Sequence, residues 1–223
     1  ARKCESGSDI MLYGVLVSLA SKLILMVIMV KLTGINPFSL EPETIGATVD
    51  RVVEFYRNAG MPEATLQGLT EQFRATITML PHIFPALLVM AAAVDCFLSY
   101  VISGAVLKRI GDFRLPPLPA FAEWRFPRSL FWALIVSMGL QLLGAKGGQT
   151  FLAAGINIRI LVSMLFFFQG VSVVWFLLKD RGLGPVARTA ILGVLALVPI
   201  LSQLVLVVGI VDMWYDLRKR FRR

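Results

Sequence analysis

The chain has 223 residues, 57% of them hydrophobic and 16% charged, and carries a net charge of +8. Soluble domains hold about 45–50% apolar and about 25% charged residues, and here the apolar excess falls in long runs separated by short basic segments. That pattern excludes a soluble enzyme, a disordered tail and a β-barrel porin, whose strands would read as alternating segments of roughly ten residues.

The first run spans about Met11 to Leu32 and holds one charge, Lys22. It is long enough to cross ~30 Å of hydrocarbon at ~1.5 Å per residue. The stretch before it contains Arg2, Lys3 and Cys4. It reads as no signal peptide, because the run is too long and lacks a cleavage site.

A polar stretch, 34–75, follows. Within it Ile45, Val49, Val52, Val53 and Tyr56 recur on one face of a helix. The segment from Asn58 through Gly60 to Pro62 reads as a helix stop and restart. Leu66, Leu69, Phe73 and Ile77 then make a second stripe. The spacing predicts two amphipathic helices lying on the membrane surface or capping the bundle, the second running into the next span.

The second run covers 77–107, with Pro81 and Pro85 near its start and Asp95 near its middle. Prolines there predict a kink or the true helix start. A charge inside a bilayer costs ~2.5–3.5 kcal/mol on insertion scales and therefore needs a reason. Lys22 and Asp95 lie at comparable depth in antiparallel neighbours, which predicts an intramembrane pair. The alternatives are a pair that only fixes helix register, and a Lys22 that snorkels to the headgroups.

A Pro-rich, basic, aromatic connection, 108–128, comes next. Pro116, Pro117 and Pro119 stiffen it, and Trp124 and Arg125 make it a candidate docking surface for a partner. Lying in the membrane interface is the competing reading. The third run is short, 129–143. A Gly-rich turn, 144–148, leads to the fourth, 151–178, which carries Asn157, Arg159 and Gln169. These three predict a polar line able to bind a polar or anionic solute. The alternative is a headgroup anchor at Arg159 and a helix-to-helix hydrogen bond at Gln169.

A basic turn, 179–188, precedes the last run, 190–215, which has Pro199, Ser202 and Gln203 in its middle. Asp212 and Trp214 at its end read as an interface belt. The tail after it is strongly basic.

Lys and Arg near the spans set orientation. The Pro-rich connection has five, the basic turn three and the tail five, whereas the Gly-rich turn has only Lys146. The N-terminus, connection and basic turn therefore belong inside, and the amphipathic pair and Gly-rich turn outside. One conflict remains open. Five spans put the basic tail outside, while a hairpin in 190–215 would return it inside, although two full spans need ~40 residues.

The expected fold is an all-α polytopic bundle, a single membrane domain over 1–223 with five or six membrane segments and an external amphipathic pair. No nucleotide-binding, zinc-protease, hydrolase or dithiol motif is present, and one histidine cannot build a metal site. The chain is therefore expected to be no enzyme, with no cofactor and no nucleic-acid partner. Its basic flanks face lipid headgroups.

The segment LPPLPAFAEWR (115–125), then Asn157 and FQGVSVV (168–174), then GIVDMWYDLR (209–218), together resemble the YybS-like family of bacterial inner-membrane proteins. The match is best over 108–223. Members are longer, with further spans upstream, so the resemblance implies a chain that is the C-terminal part of a longer one. The family is distantly similar to the substrate-binding S components of energy-coupling-factor transporters. That likeness implies a small helical bundle that binds a solute and docks on an ATPase module. The other expected function is a membrane scaffold or regulatory subunit that docks a partner through 108–128.

Overall fold

The computed structural model describes residues 6–34, 36, 42–111 and 115–221. Arg2, Lys3, Cys4, Arg114 and the last two arginines of the tail lie outside the described residues. Among those described, the structure is helical and holds no strand. Helices α1 (Gly7–Thr33), α2 (Pro42–Asn58), α3 (Glu63–Ile110), α4 (Ser129–Ala145), α5 (Gln149–Asp180), α6 (Pro185–Leu197), α7 (Pro199–Tyr215) and α8 (Leu217–Phe221) follow in chain order. They form two compact units, one of residues 14–98 and one of residues 1–13 with 99–223. The protein is an all-α membrane protein.

Three helices, α1, α3 and α5, are long and apolar enough to cross a membrane, and a fourth crossing is made if α6 and α7 count as one broken span. The sequence predicts five or six segments. The difference lies in α4, whose 17 residues fall short of the ~20 a full span needs, and in the break of the last run.

In the unit 14–98, the stripe predicted on α2 faces inward. Val49 is fully buried and Ile45, Val52, Val53 and Tyr56 are half-buried, while Asp50, Arg51 and Glu54 are exposed. The helix ends as its sequence dictates. Gly60 takes φ +87, a conformation open to glycine, and Met61 N–H reaches back to the Tyr56 carbonyl at 3.1 Å. Tyr56 and Phe73 stack across the turn, 6.5 Å between centroids. The second amphipathic stripe opens α3, a single helix of 48 residues that runs through Pro81 and Pro85. At ~1.5 Å per residue it is about 72 Å long, more than twice the hydrocarbon thickness, so it is longer than one crossing needs.

In the other unit, α4 and α5 form an antiparallel hairpin that small residues close tightly. A side chain at Gly144 would strike the Leu152 backbone, and one at Gly155 would come within 2.8 Å of the Ser137 carbonyl. Helix α7 packs on α5 in the same way, with Gly170 against the Val205 carbonyl and Gly209 against the Phe166 carbonyl. Val162, Phe166 and Met213 are buried between these helices, under Leu130, Leu134, Ile158 and Ile210.

The last apolar run breaks at Val198 into α6 and α7, bent by 106°. Val198 precedes proline and adopts φ −89, ψ 114, because the proline ring disfavours helical backbone one residue earlier. Pro199 then begins α7, where its missing N–H costs nothing.

Candidate functional site

Asp212 sits in the last turn of α7, only 5% exposed. A carboxylate at that depth needs partners, and it has three. Leu217 N–H donates to Oδ1 at 3.0 Å, Gln169 Nε2 donates to Oδ2 at 3.3 Å, and the Arg218 guanidinium lies 3.6 Å from Oδ2. The chain reaches this geometry through Asp216, which takes the left-handed conformation (φ 45) and turns α8 back against the bundle. Asp tolerates that conformation better than most residues.

Arg218 is 4% exposed. Its Nη1 donates to the Ala122 carbonyl at 2.5 Å, and its Nη2 donates to the Trp124 carbonyl at 2.8 Å and to Ser172 Oγ at 3.1 Å. Ser172, itself fully buried, donates to the Phe121 carbonyl at 2.5 Å. Gln169 Oε1 accepts from Phe126 N–H at 3.3 Å. Arg125 grips Asp216 with both guanidinium ends, at 3.0 and 2.7 Å. One short helical turn, Phe121–Glu123, and the residues after it are thus fastened by Asp216 and Arg218 on one side and by α5 on the other. Phe121 packs edge-on against Trp124 and Trp175.

The electrostatics follow from these contacts. The hydrogen bond from Arg125 holds the Asp216 carboxyl below the usual carboxylate range. Burial pulls the Arg218 guanidinium below its ordinary value, and the Asp212 charge opposes that shift. A guanidinium stays charged at neutral pH all the same.

Beside this cluster lies a cavity of about 550 Å³, lined by Ala120, Ala122, Glu123, Arg125, Phe176, Lys179, Asp180, Arg218 and Lys219. Its size is within the range of small-molecule sites. Three segments distant in sequence meet there: the Pro-rich connection, the end of α5 and α8. Among the described residues, no group of three His, Cys, Asp or Glu side chains is placed to hold a metal.

The residues singled out from sequence fall in four places. Lys22 and Asp95 are joined in an ion pair, with Lys22 also donating to Ser18 Oγ at 3.2 Å. Of the polar line on α5, only Gln169 enters the buried cluster. Asn157 donates to the Ala153 carbonyl one turn back at 2.7 Å, and Arg159 to Gln141 Oε1 at 3.4 Å. Ten residues separate Arg159 from Gln169, about 15 Å along a helix, and each of the three meets a different partner. Pro116 accepts a hydrogen bond from Tyr100 Oη. Pro117 lies against Gly7, where an added side chain would come within 2.8 Å of its carbonyl. Trp124 and Arg125 belong to the cavity cluster.

Asp212, Arg218 and Ser172 are the residues that sequence reasoning missed as a site. Asp212 reads as part of an interface belt, and Arg218 as one more cation of the basic tail. The available signal was an acid at the end of an apolar run with an arginine six residues on, opposite a glutamine and a serine in the α5 run.

Three helices long and apolar enough to cross a bilayer define the class, a membrane protein. The chain matches over residues 1–213 a family described as "Predicted membrane protein (DUF2232)", and it belongs to that family. It is also 27% identical over 175 residues to the uncharacterized protein YybS of Bacillus subtilis (strain 168), covering 78% of this chain and 55% of that relative. The chain therefore spans about half the length of the relative it matches. No solved structure matches it.

Proposed function

We propose that the protein is a non-enzymatic, ligand-binding component of the bacterial inner membrane, with the cavity beside Arg218 as its binding site. One observation carries this reading. Six charged side chains line a single cavity of about 550 Å³, and one of them, Arg218, is held rigidly by carbonyl, hydroxyl and carboxylate acceptors. Such a preset polar wall lowers the ordering cost of binding. An ATP-driven module is the partner expected if the protein works as the energy-coupling-factor S components do. The test is purification in mild detergent followed by mass spectrometry. A small molecule or lipid in stoichiometric amount, lost in Lys179→Ala, supports the reading. A cavity that comes out empty in the wild type overturns it.

The second reading is a scaffold. It is favoured by the clamping of 121–125, which presents exposed Glu123 and Arg125 on a fixed backbone. A scaffold should lose a protein partner when Pro117 or Trp124 is replaced by alanine. Replacing Lys179 should leave that partner bound.

A further inference from the structure

The charges of the cavity state what kind of ligand it fits, and this rests on the cavity being a ligand site. Its wall holds four cations (Arg125, Lys179, Arg218 and Lys219) and two acids (Glu123 and Asp180). Most of the positive charge is already answered. Arg218 faces Asp212, and Arg125 and Lys219 share Asp216, at 2.7 and 3.4 Å. Among the described residues, no ion pair engages Lys179, Glu123 or Asp180. The cavity therefore offers unspent charge of both signs. Arg218 Nε adds a buried donor with no partner.

A simple anion would meet Lys179 and Arg218 but would also face two unpaired carboxylates. A simple cation would meet those carboxylates but leave Lys179 unanswered. A ligand that carries both signs satisfies every group, and each charge-assisted hydrogen bond it makes is of the strong kind. We propose that the cavity takes a zwitterion, with an ammonium at Glu123 and Asp180 and a phosphate at Lys179 and Arg218. A phosphoethanolamine group has this chemistry, whether free or as the headgroup of phosphatidylethanolamine.

The test is thermal unfolding of the purified protein in a neutral maltoside detergent. Four probes are compared: phosphatidylethanolamine, phosphatidylglycerol, free phosphoethanolamine and inorganic phosphate. Phosphatidylethanolamine should raise Tm more than phosphatidylglycerol, which keeps the phosphate but lacks the ammonium. In the Glu123→Gln, Asp180→Asn double variant, half-saturation by phosphatidylethanolamine should be at least about ten-fold weaker, because both carboxylates that hold the ammonium lose their charge. Free phosphoethanolamine acting as well marks a soluble zwitterion as the source, and its failure alone marks the lipid. Equal shifts from phosphatidylglycerol or phosphate, or shifts indifferent to the double variant, overturn the zwitterion while leaving a ligand site standing. No shift with any probe, together with a different molecule found in the purified protein, does the same. No shift and nothing co-purified overturns both.

Discussion

Removing Arg218 would strand the Ala122 and Trp124 carbonyls and leave Asp212 buried without its countercharge. Breaking a buried pair from one side typically costs about 3–5 kcal/mol. Arg218→Ala should therefore lower Tm in detergent sharply. Arg218→Lys should recover only part of the loss, because an ammonium cannot span the carbonyls as the guanidinium fork does. Asp216 behaves differently, since it is partly exposed and its pair with Arg125 is worth at most about 1 kcal/mol. Its carboxyl is held below the ordinary range in the folded protein. Its contribution is therefore present above the ordinary carboxylate pKa and lost as pH falls through the depressed folded value. The stability gap between wild type and Asp216→Asn should be open at neutral pH and close in acid, as followed by unfolding at stepped pH. Asn also accepts the left-handed backbone, so the comparison isolates the charge.

Helices α5 and α7 meet backbone to backbone. An alanine at Gly170 would collide with the Val205 carbonyl, and one at Gly209 with the Phe166 carbonyl. Neither obstacle is a flexible side chain, so one helix must move. Either substitution should cost about 1–3 kcal/mol, the usual range for overpacking, seen as a lower Tm. Gly68, exposed within α3, meets nothing within 4 Å of an added side chain. Gly68→Ala should instead stabilise by about 0.5–1 kcal/mol through the backbone entropy term alone. Opposite signs at the two kinds of glycine would establish close packing, and not general helix propensity, as what holds α5 and α7.

At the scale of the unit formed by 1–13 and 99–223, the bent pair decides where the chain ends. Helix α6 has 13 residues and α7 has 17, about 20 and 26 Å at ~1.5 Å per residue. The end of α5, at Lys179 and Asp180, lines the same cavity as Arg218 and Lys219 of α8. The chain thus leaves the end of α5 and returns to it, and we expect the bent pair to be re-entrant and not one broken span. Reporter tags at residue 221 and in the turn at 147 should therefore report opposite sides of the membrane. Tags on the same side would mean that α6 and α7 cross as one span.

The membrane class, the apolar segments, the amphipathic stripe of α2 and its stop at Gly60 were legible in the sequence, because periodicity, hydropathy and glycine backbone freedom are local properties. The pairing of Lys22 with Asp95 was nearly so, since two isolated charges in apolar runs have few partners. The buried cluster was not. Arg218 reads in sequence as one more cation of the basic tail, and only the left-handed turn at Asp216 carries it to carbonyls some ninety residues away. The polar line on α5 was split for a related reason: spacing along a helix gives a face, but the neighbour at each depth differs, Gln141 for Arg159 and Asp212 for Gln169. The course of the last run also waited for the fold. Pro199 signals a break, but the return of α8 to the Pro-rich connection depends on contacts among segments far apart in the chain. Local sequence decided which elements form, and long-range packing decided which charges they share.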